Sequence, residues 1–214
     1  PMVKFAKIVY SNPSLYKSYN SKADFYLQSV NEVVDAHESE WVTGPNEIAA
    51  DDEGYYIFPE DSPVNNPGLY IPHNQQLAMA RTLLVFPQND RAEKIGKIFK
   101  GDLENYLENS YVWHYWWGEE GLDITNSKYE DTGHGGLDIR FALDAHENGL
   151  LFGENNLRKF SRTFTENIFK EYSKISFRVD GSFKEDGTGG NLKSAARWLG
   201  LSKYNNEVYE IIKS

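Results

Sequence analysis

Residues 133–149 read GHGGLDIRFALDAHENG and residues 155–168 read NNLRKFSRTFTENI; these two neighbouring stretches decide the fold class. In the first, Leu137, Phe141, Leu143 and Ala145 recur at helical spacing, and Asn148-Gly149 supplies residues that tolerate the left-handed turn closing a helix. In the second, Leu157, Phe160, Phe164 and Ile168 make the clearest apolar stripe in the chain, with Asn155 or Asn156 placed to cap its start. Two amphipathic helices with a short connection make a helical hairpin, which buries one stripe against the other.

Working outward, the same periodicity predicts a helix over about Asp90–Leu107, carrying Ile95, Ile98, Phe99, Leu103 and Tyr106, and another from Pro72 through Leu77, Ala80, Leu84 and Val85 until Pro87 stops it. Lys22–His37 is a further helix, and Val3, Phe5, Ala6 and Val9 open the chain in a periodic segment. On the C-terminal side, Ser176–Val179 reads as a short strand, Gly181–Gly190 as a polar loop, and Leu192–Leu199 and Asn205–Ile212 as helices. Gly44–Gly68, rich in Gly, Pro, Asn and Asp around a β-like Tyr55–Phe58, is a long excursion of the kind that is often functional.

Helix-start signals near Pro13, Pro72, Gly133 and Gly190 recur at intervals of about 60 residues, which suggests a repeated supersecondary unit. The first helices of successive hairpins would then run parallel and bring Asn74, His134 and Asn191 to one rim. Orphan backbone N–H groups and positive dipole ends gather there and favour an anionic ligand. The expected fold is mainly α: repeated helical hairpins in a single domain over residues 1–214, with long loops and at most short strands.

Composition bounds the function. The chain has 214 residues, 40% of them hydrophobic and none of them cysteine. That length buries roughly 70% of the unfolded surface, so neither disulfides nor a structural metal is needed for folding. The absence of thiols excludes cysteine catalysis and cysteine zinc sites, and leaves both reducing and oxidising compartments open. With 22 Lys+Arg against 32 Asp+Glu the net charge is -10, which disfavours nucleic acid and anionic membranes as partners. No stretch approaches the roughly 18 apolar residues of a membrane span, and Pro1–Tyr10 lacks the layout of a signal peptide.

Three segments can carry chemistry. Pro72-His73-Asn74-Gln75-Gln76 puts four polar side chains in a row at a helix start, where Asn74 either caps the helix or meets a ligand. Tyr111-Val-Trp113-His114-Tyr115-Trp116-Trp117-Gly118 concentrates aromatic rings; three tryptophans in five positions cannot all enter one core, and Gly118-Glu119-Glu120-Gly121 suggests a loop, so the indoles suit stacking on sugar rings. Tyr129-Glu130-Asp131-Thr132-Gly133-His134-Gly135-Gly136-Leu137-Asp138 is the most site-like: its glycines would let a ligand approach His134, and His134 and Asp138, at i and i+4, would pair and fix the tautomer of a catalytic base. A metal reading would use His134, Asp138, His114 and His73, but no His-x3-His or Asp-rich loop supports it, so no metal or other cofactor is expected.

Pro72–Gln75, Tyr111–Trp116 and Glu130–Asp138 resemble the corresponding segments of polysaccharide lyases with an α/α-toroid fold, the alginate- and glucuronan-lyase-like group. The resemblance runs from about Pro72 to Gly181. It implies a partial or small α/α toroid that cleaves a uronate-containing polysaccharide or oligosaccharide by β-elimination without a cofactor, in a secreted or periplasmic setting. Asn74 and Arg178 would stabilise charge on the uronate carboxyl, His134 would act as base and Tyr115 would protonate the leaving oxygen, with Tyr111, Tyr129 and Tyr172 as rivals for the tyrosine role. Substrate contacts are expected from His73, Gln75, Trp113, His114, Trp116 and Trp117. Glu130, Asp138 and Arg140 join them. Such toroids use more hairpins than this chain offers, so missing N-terminal hairpins or a homo-oligomer would complete the ring. Two rivals stand beside this reading. One is a glycoside hydrolase with Glu130 or Asp131 as general acid and Glu40, Asp138 or Asp186 as partner; the other is a non-catalytic carbohydrate-binding domain.

Overall fold

The structure is a computed structural model and describes every residue except 1, 64–65, 85, 87–89, 108 and 118–128. The Gly118–Gly121 loop and the Val85 and Pro87 helix stop of the sequence reading lie outside the described residues. In chain order the helices are α1 (Met2–Ser11), α2 (Pro13–Tyr16), α3 (Asn20–Ala36), α4 (His73–Leu83), α5 (Arg91–Gly101), α6 (Thr132–Glu147), α7 (Glu154–Arg162) and α8 (Asn206–Lys213). A π-helical turn, Thr163–Ile168, extends α7, and a 3-10 helix spans Leu192–Lys203. Three antiparallel strand pairs complete the described residues: β1 (Trp41–Thr43) with β2 (Gly54–Tyr56), β3 (Glu104–Tyr106) with β4 (Ser110–Val112), and β5 (Phe169–Glu171) with β6 (Lys174–Ile175). The protein is mainly helical, and no helix among the described residues is long and apolar enough to cross a membrane.

α6 is the organising element. Asp131 caps it, with Oδ1 accepting from the Gly133 and His134 N–H groups at 2.7 and 2.9 Å, and Gly149, at φ +73°, lets the chain turn away at the other end. Ile139, Phe141, Ala142 and Ala145 are fully buried on it. α7 returns antiparallel, and its stripe of Leu157, Phe160, Phe164 and Ile168 is wholly buried as its spacing requires; each such side chain contributes roughly 1.5–3 kcal/mol of burial. The last two stripe positions are delivered by the π-helical turn, which Thr163 ties to β4: its Oγ1 accepts from the Tyr111 N–H at 3.0 Å and donates to the Tyr111 carbonyl at 2.7 Å.

α4 and the 3-10 helix flank α6, and both run parallel to it. The His73 N–H donates to the Tyr115 carbonyl while the Tyr115 ring lies against His134; at the other end Arg81 reaches Asp144 at 2.8 Å. On the opposite flank Arg197 donates to the Gly133 carbonyl at 2.6 Å, and Lys203 lies 3.4 Å from Glu147. α5, α7 and α8 are the return strokes. Three of the four expected helix starts therefore share one end of the molecule; the fourth, near Pro13, belongs to the α1–α3 unit and does not join them. The α1–α3 hairpin docks at the other end, where Lys4 pairs with Asp144 at 3.0 Å.

Four local expectations are corrected. The third predicted helix stops at Gly101; Leu103 lies beyond its end and Tyr106 closes β3, which pairs with β4 through a turn that takes Leu107 to φ +48°. Neither Asn155 nor Asn156 occupies the cap of α7. Gly153 does, and Asn156 reaches back to accept from its N–H at 2.9 Å. Ser176–Val179 is not a regular strand, although Arg178 makes an isolated antiparallel bridge to Asp131. Finally, the double glycine of α6 opens no path to a ligand. A Cβ on Gly135 would meet Val179 and Trp113 side-chain atoms at 3.0 and 3.2 Å, and one on Gly136 would come within 2.6 Å of Arg197 Cβ and 3.1 Å of Trp198 Nε1. The glycines exist so that Trp113 and Trp198 can lie against the helix backbone.

Candidate functional site

Glu130 sits in an extended segment between two others. Its N–H donates to the Trp113 carbonyl at 2.8 Å and its carbonyl accepts from the Val179 N–H at 3.0 Å, while Thr132 N–H reaches the Phe177 carbonyl at 2.9 Å. This backbone platform of isolated bridges runs directly into the start of α6. It drives the Glu130 side chain inward to full burial and leaves Asp131 and His134, three apart around the first turn, on the side toward Tyr115. The Tyr115 and His134 rings are 5.7 Å apart at a 33° tilt, and Gln75, from the first turn of α4, hydrogen-bonds the Tyr115 hydroxyl.

The electrostatics follow from burial against charge. Burial raises Glu130 to about 7, with the Asp131 charge adding and the His134 contact opposing. His134 is raised to about 10, first by the Asp131 side chain 2.6 Å from Nδ1 and then by Glu130 at 3.7 Å, against partial burial. Burial alone would raise Asp131; the His134 side chain and the backbone N–H groups it caps outweigh that and hold it below the usual carboxylate range. Asp138 is wholly buried and driven well above that range by desolvation, with the Glu130 charge second, although Trp113 Nε1 donates to its Oδ2 at 2.9 Å. Burial and the three acids also push the Tyr115 phenol up.

Several polar atoms here lack a hydrogen bond: Glu130 Oε2, Asp138 Oδ1, Asn74 Oδ1 and His134 Nδ1. The His134–Asp131 contact is thus a close pairing of charge without the alignment of a directed bond. Nδ1 is buried while the side chain is 42% exposed, so the ring turns its remaining edge outward. Glu130, Asp131 and His134 each offer one metal-ligand type of atom, all within 4.8 Å of one another.

The expected site residues separate. Tyr115, His134, Glu130 and Asp138 come together, with Gln75 on the Tyr115 hydroxyl; the Arg178 backbone bridges Asp131, while its guanidinium lies over the Phe177 ring. Asn74 is buried in the same first turn as Gln75. The expected His134–Asp138 pair does not form: His134 turns to Asp131 and Glu130, and Asp138 turns inward to Trp113. His73 is buried, with Nε2 3.1 Å from Asp102 and its ring against Trp117, so it is part of the packing. Gln76 likewise spends its amide on the Tyr56 backbone.

The three clustered tryptophans resolve into two cores. Trp113 is wholly buried in the main one and Trp117 in a second with Tyr55 and Tyr70, which leaves neither face free for a sugar; Trp116 is half-buried, donating from Nε1 to the Tyr70 carbonyl. His114 stacks on Tyr129 and faces Glu104, and Arg140 is exposed on a different face of α6 from the inward Asp138. Among the rival tyrosines, Tyr111 is buried and bonded by Asn156, Tyr129 bonds Glu104, and Tyr172 stands 76% exposed on the β5–β6 hairpin. Asn191 caps the 3-10 helix. Arg197, exposed beside Gly133, is a cation at this end that nothing in the sequence pattern marked.

Compared with family models, with curated proteins and with solved structures, the chain finds no match in any of the three.

Proposed function

We propose that the protein is a polysaccharide lyase that cleaves a uronate-containing polymer, of the alginate or glucuronan type, by β-elimination, on an open arc of an α/α toroid. The observation that carries the reading is the placement of Tyr115 against His134, with Gln75 on its hydroxyl, at the end where three parallel helices begin. Removing the proton next to a carboxylate needs positive charge or strong donors on the carboxyl oxygens. The outward edge of His134, the Asn74 and Gln75 amides and Arg178 supply them. The two carboxyls facing Nδ1 keep a proton on the imidazole, so His134 stabilises charge and Tyr115 takes both the base and the acid role, where the resemblance implies His134 as base and Tyr115 as acid only. A phenol both accepts and donates. The phenol, kept protonated by burial, gives its own proton to the departing O4 while its oxygen takes the C5 proton; the C5–H electrons form the C4–C5 double bond, the C4–O4 bond breaks, and the phenol is restored.

Glycoside hydrolysis is the second reading, favoured by one observation: Glu130 keeps its proton to about pH 7, as a general acid must. Incubation with a panel of polyuronates, followed by ultraviolet absorbance and by reducing ends, separates the two. Elimination raises both signals, and Tyr115→Phe and His134→Ala each abolish them. Reducing ends without absorbance would overturn the lyase assignment in favour of Glu130-dependent hydrolysis.

A further inference from the structure

We infer that Glu130, Asp131 and His134 form a binding site for one divalent transition-metal ion, of the Mn2+ or Zn2+ type. Asp131 uses Oδ1 to cap α6 and has Oδ2 to spare, 2.6 Å from His134 Nδ1. Glu130 uses Oε1 on the Asp131 N–H at 2.8 Å; its Oε2 is buried and accepts nothing. His134 Nδ1 is buried and makes no directed bond. Three electron-pair donors from two carboxylates and an imidazole thus converge within 4.8 Å, Glu130 facing Nδ1 with Oε1 at 3.7 Å, and the same wholly buried carboxylate leaves its other oxygen, Oε2, without a partner. Leaving such an oxygen unpaired costs free energy that a cation would recover.

The local fold explains why these three meet. The residue before a helix cap, the cap itself and the third residue of the first turn are held on one side, and the platform hydrogen bonds of Glu130 fix the first of them. Metal bonds of about 2.0–2.2 Å to oxygen and nitrogen need the donors some 3 Å or more apart. The 3.7 Å between Glu130 Oε1 and Nδ1 already satisfies this, and the 2.6 Å between Asp131 Oδ2 and Nδ1 opens by a small rotation of the half-exposed imidazole. A mixed imidazole–carboxylate set suits Mn2+ or Zn2+ better than Ca2+ or Mg2+. Three protein ligands leave coordination positions open, which marks a site that also takes an outside ligand. The set differs from the His73, His114, His134 and Asp138 combination considered from sequence: His73 is held by Asp102 and Asp138 by Trp113.

The ion would take the place of the imidazole proton and carry one more charge. Resting on the lyase reading, the ion would also hold the uronate: it attracts the substrate carboxylate, which the Asp131 charge alone would repel.

The test needs no polysaccharide. Chelator-treated full-length chain is titrated with Mn2+, followed by electron paramagnetic resonance, and with Zn2+, followed by calorimetry and thermal unfolding. One ion per chain, with a raised unfolding midpoint, is expected. Asp131→Asn keeps the capping oxygen and Glu130→Gln keeps the side-chain shape, so both should fold by circular dichroism; each should weaken binding by at least roughly tenfold. No saturable binding, or equal binding in the wild type and both folded variants, overturns the site. Activity on a polyuronate in excess chelator would sink the metal's role while leaving the lyase reading intact, whereas stoichiometric binding with no turnover on any polyuronate would do the converse.

Discussion

A single methyl group added to Gly136 should destabilise the protein, although alanine is the better helix former. In open space the exchange gains about 1 kcal/mol. At Gly136 the new Cβ would lie 2.6 Å from Arg197 Cβ, an atom fixed to the backbone of the 3-10 helix, and 3.1 Å from Trp198 Nε1, which donates to the Thr132 carbonyl at 3.0 Å. Overpacking of this kind costs about 1–3 kcal/mol, and disturbing the indole hydrogen bond costs about 1 kcal/mol more. Gly136→Ala is therefore expected to lose about 1–3 kcal/mol net. Gly101 provides the internal control: it closes α5, a Cβ there meets nothing within 4 Å, and Gly101→Ala should be neutral or stabilising. Equilibrium urea unfolding followed by far-ultraviolet circular dichroism reads both, free of any change in the fluorescence of Trp198 itself. If Gly136→Ala is as stable as the parent, or gains as Gly101→Ala does, then Trp198 does not bear on the α6 backbone and the account of the double glycine fails.

In chelator-treated protein, Glu130 carries a folded-state pKa of about 7 against an ordinary 4.5. Its contribution to stability is therefore fully present below about pH 4.5 and is lost as the pH climbs through 7, a decline on the order of 3 kcal/mol, and Glu130→Gln should flatten that limb in urea midpoints measured across pH. Asp144 takes both Lys4 and Arg81, so Asp144→Ala should loosen the α1–α3 hairpin; hydrogen exchange should rise over residues 2–36 and stay unchanged over 132–168, and uniform exchange would refute the docking role.

Much of the architecture was legible because it rests on periodicity. The stripes on α3, α4, α6 and α7 appear where apolar residues recur at three and four, and the Asn148-Gly149 stop and the polar start at His73 are written locally. The spacing of start signals pointed to a parallel run of α4, α6 and the 3-10 helix, but it counted the Pro13 start with them, and that segment belongs to the α1–α3 unit instead. What periodicity missed was the end of α5: Leu103 and Tyr106 continue the helical spacing, and only the pairing of Glu104–Tyr106 with Ser110–Val112 turns the segment into a strand.

The site was half legible. Its residue types stood out in the aromatic and Gly-His-Gly segments, but the choice of Tyr115 among four tyrosines came only from the resemblance, and the direction of each side chain depended on contacts distant in sequence. Asp138 is claimed by Trp113, 25 positions away, and His73 by Asp102, 29 positions away. The glycines that suggested ligand access serve Trp198, whose partner carbonyl lies 66 positions earlier. No local pattern carries such information.

That long reach gives the candidate site a place in the order of synthesis. The platform and α6 leave the ribosome well before Trp198 and Arg197, and until those two arrive the bare backbone of Gly135 and Gly136 has no indole against it and the Gly133 carbonyl lacks its guanidinium. The chemistry-bearing turn thus reaches its final form only when the C-terminal segment has been made and laid down. A nascent or C-terminally clipped chain would hold every candidate catalytic residue and still not hold them in place.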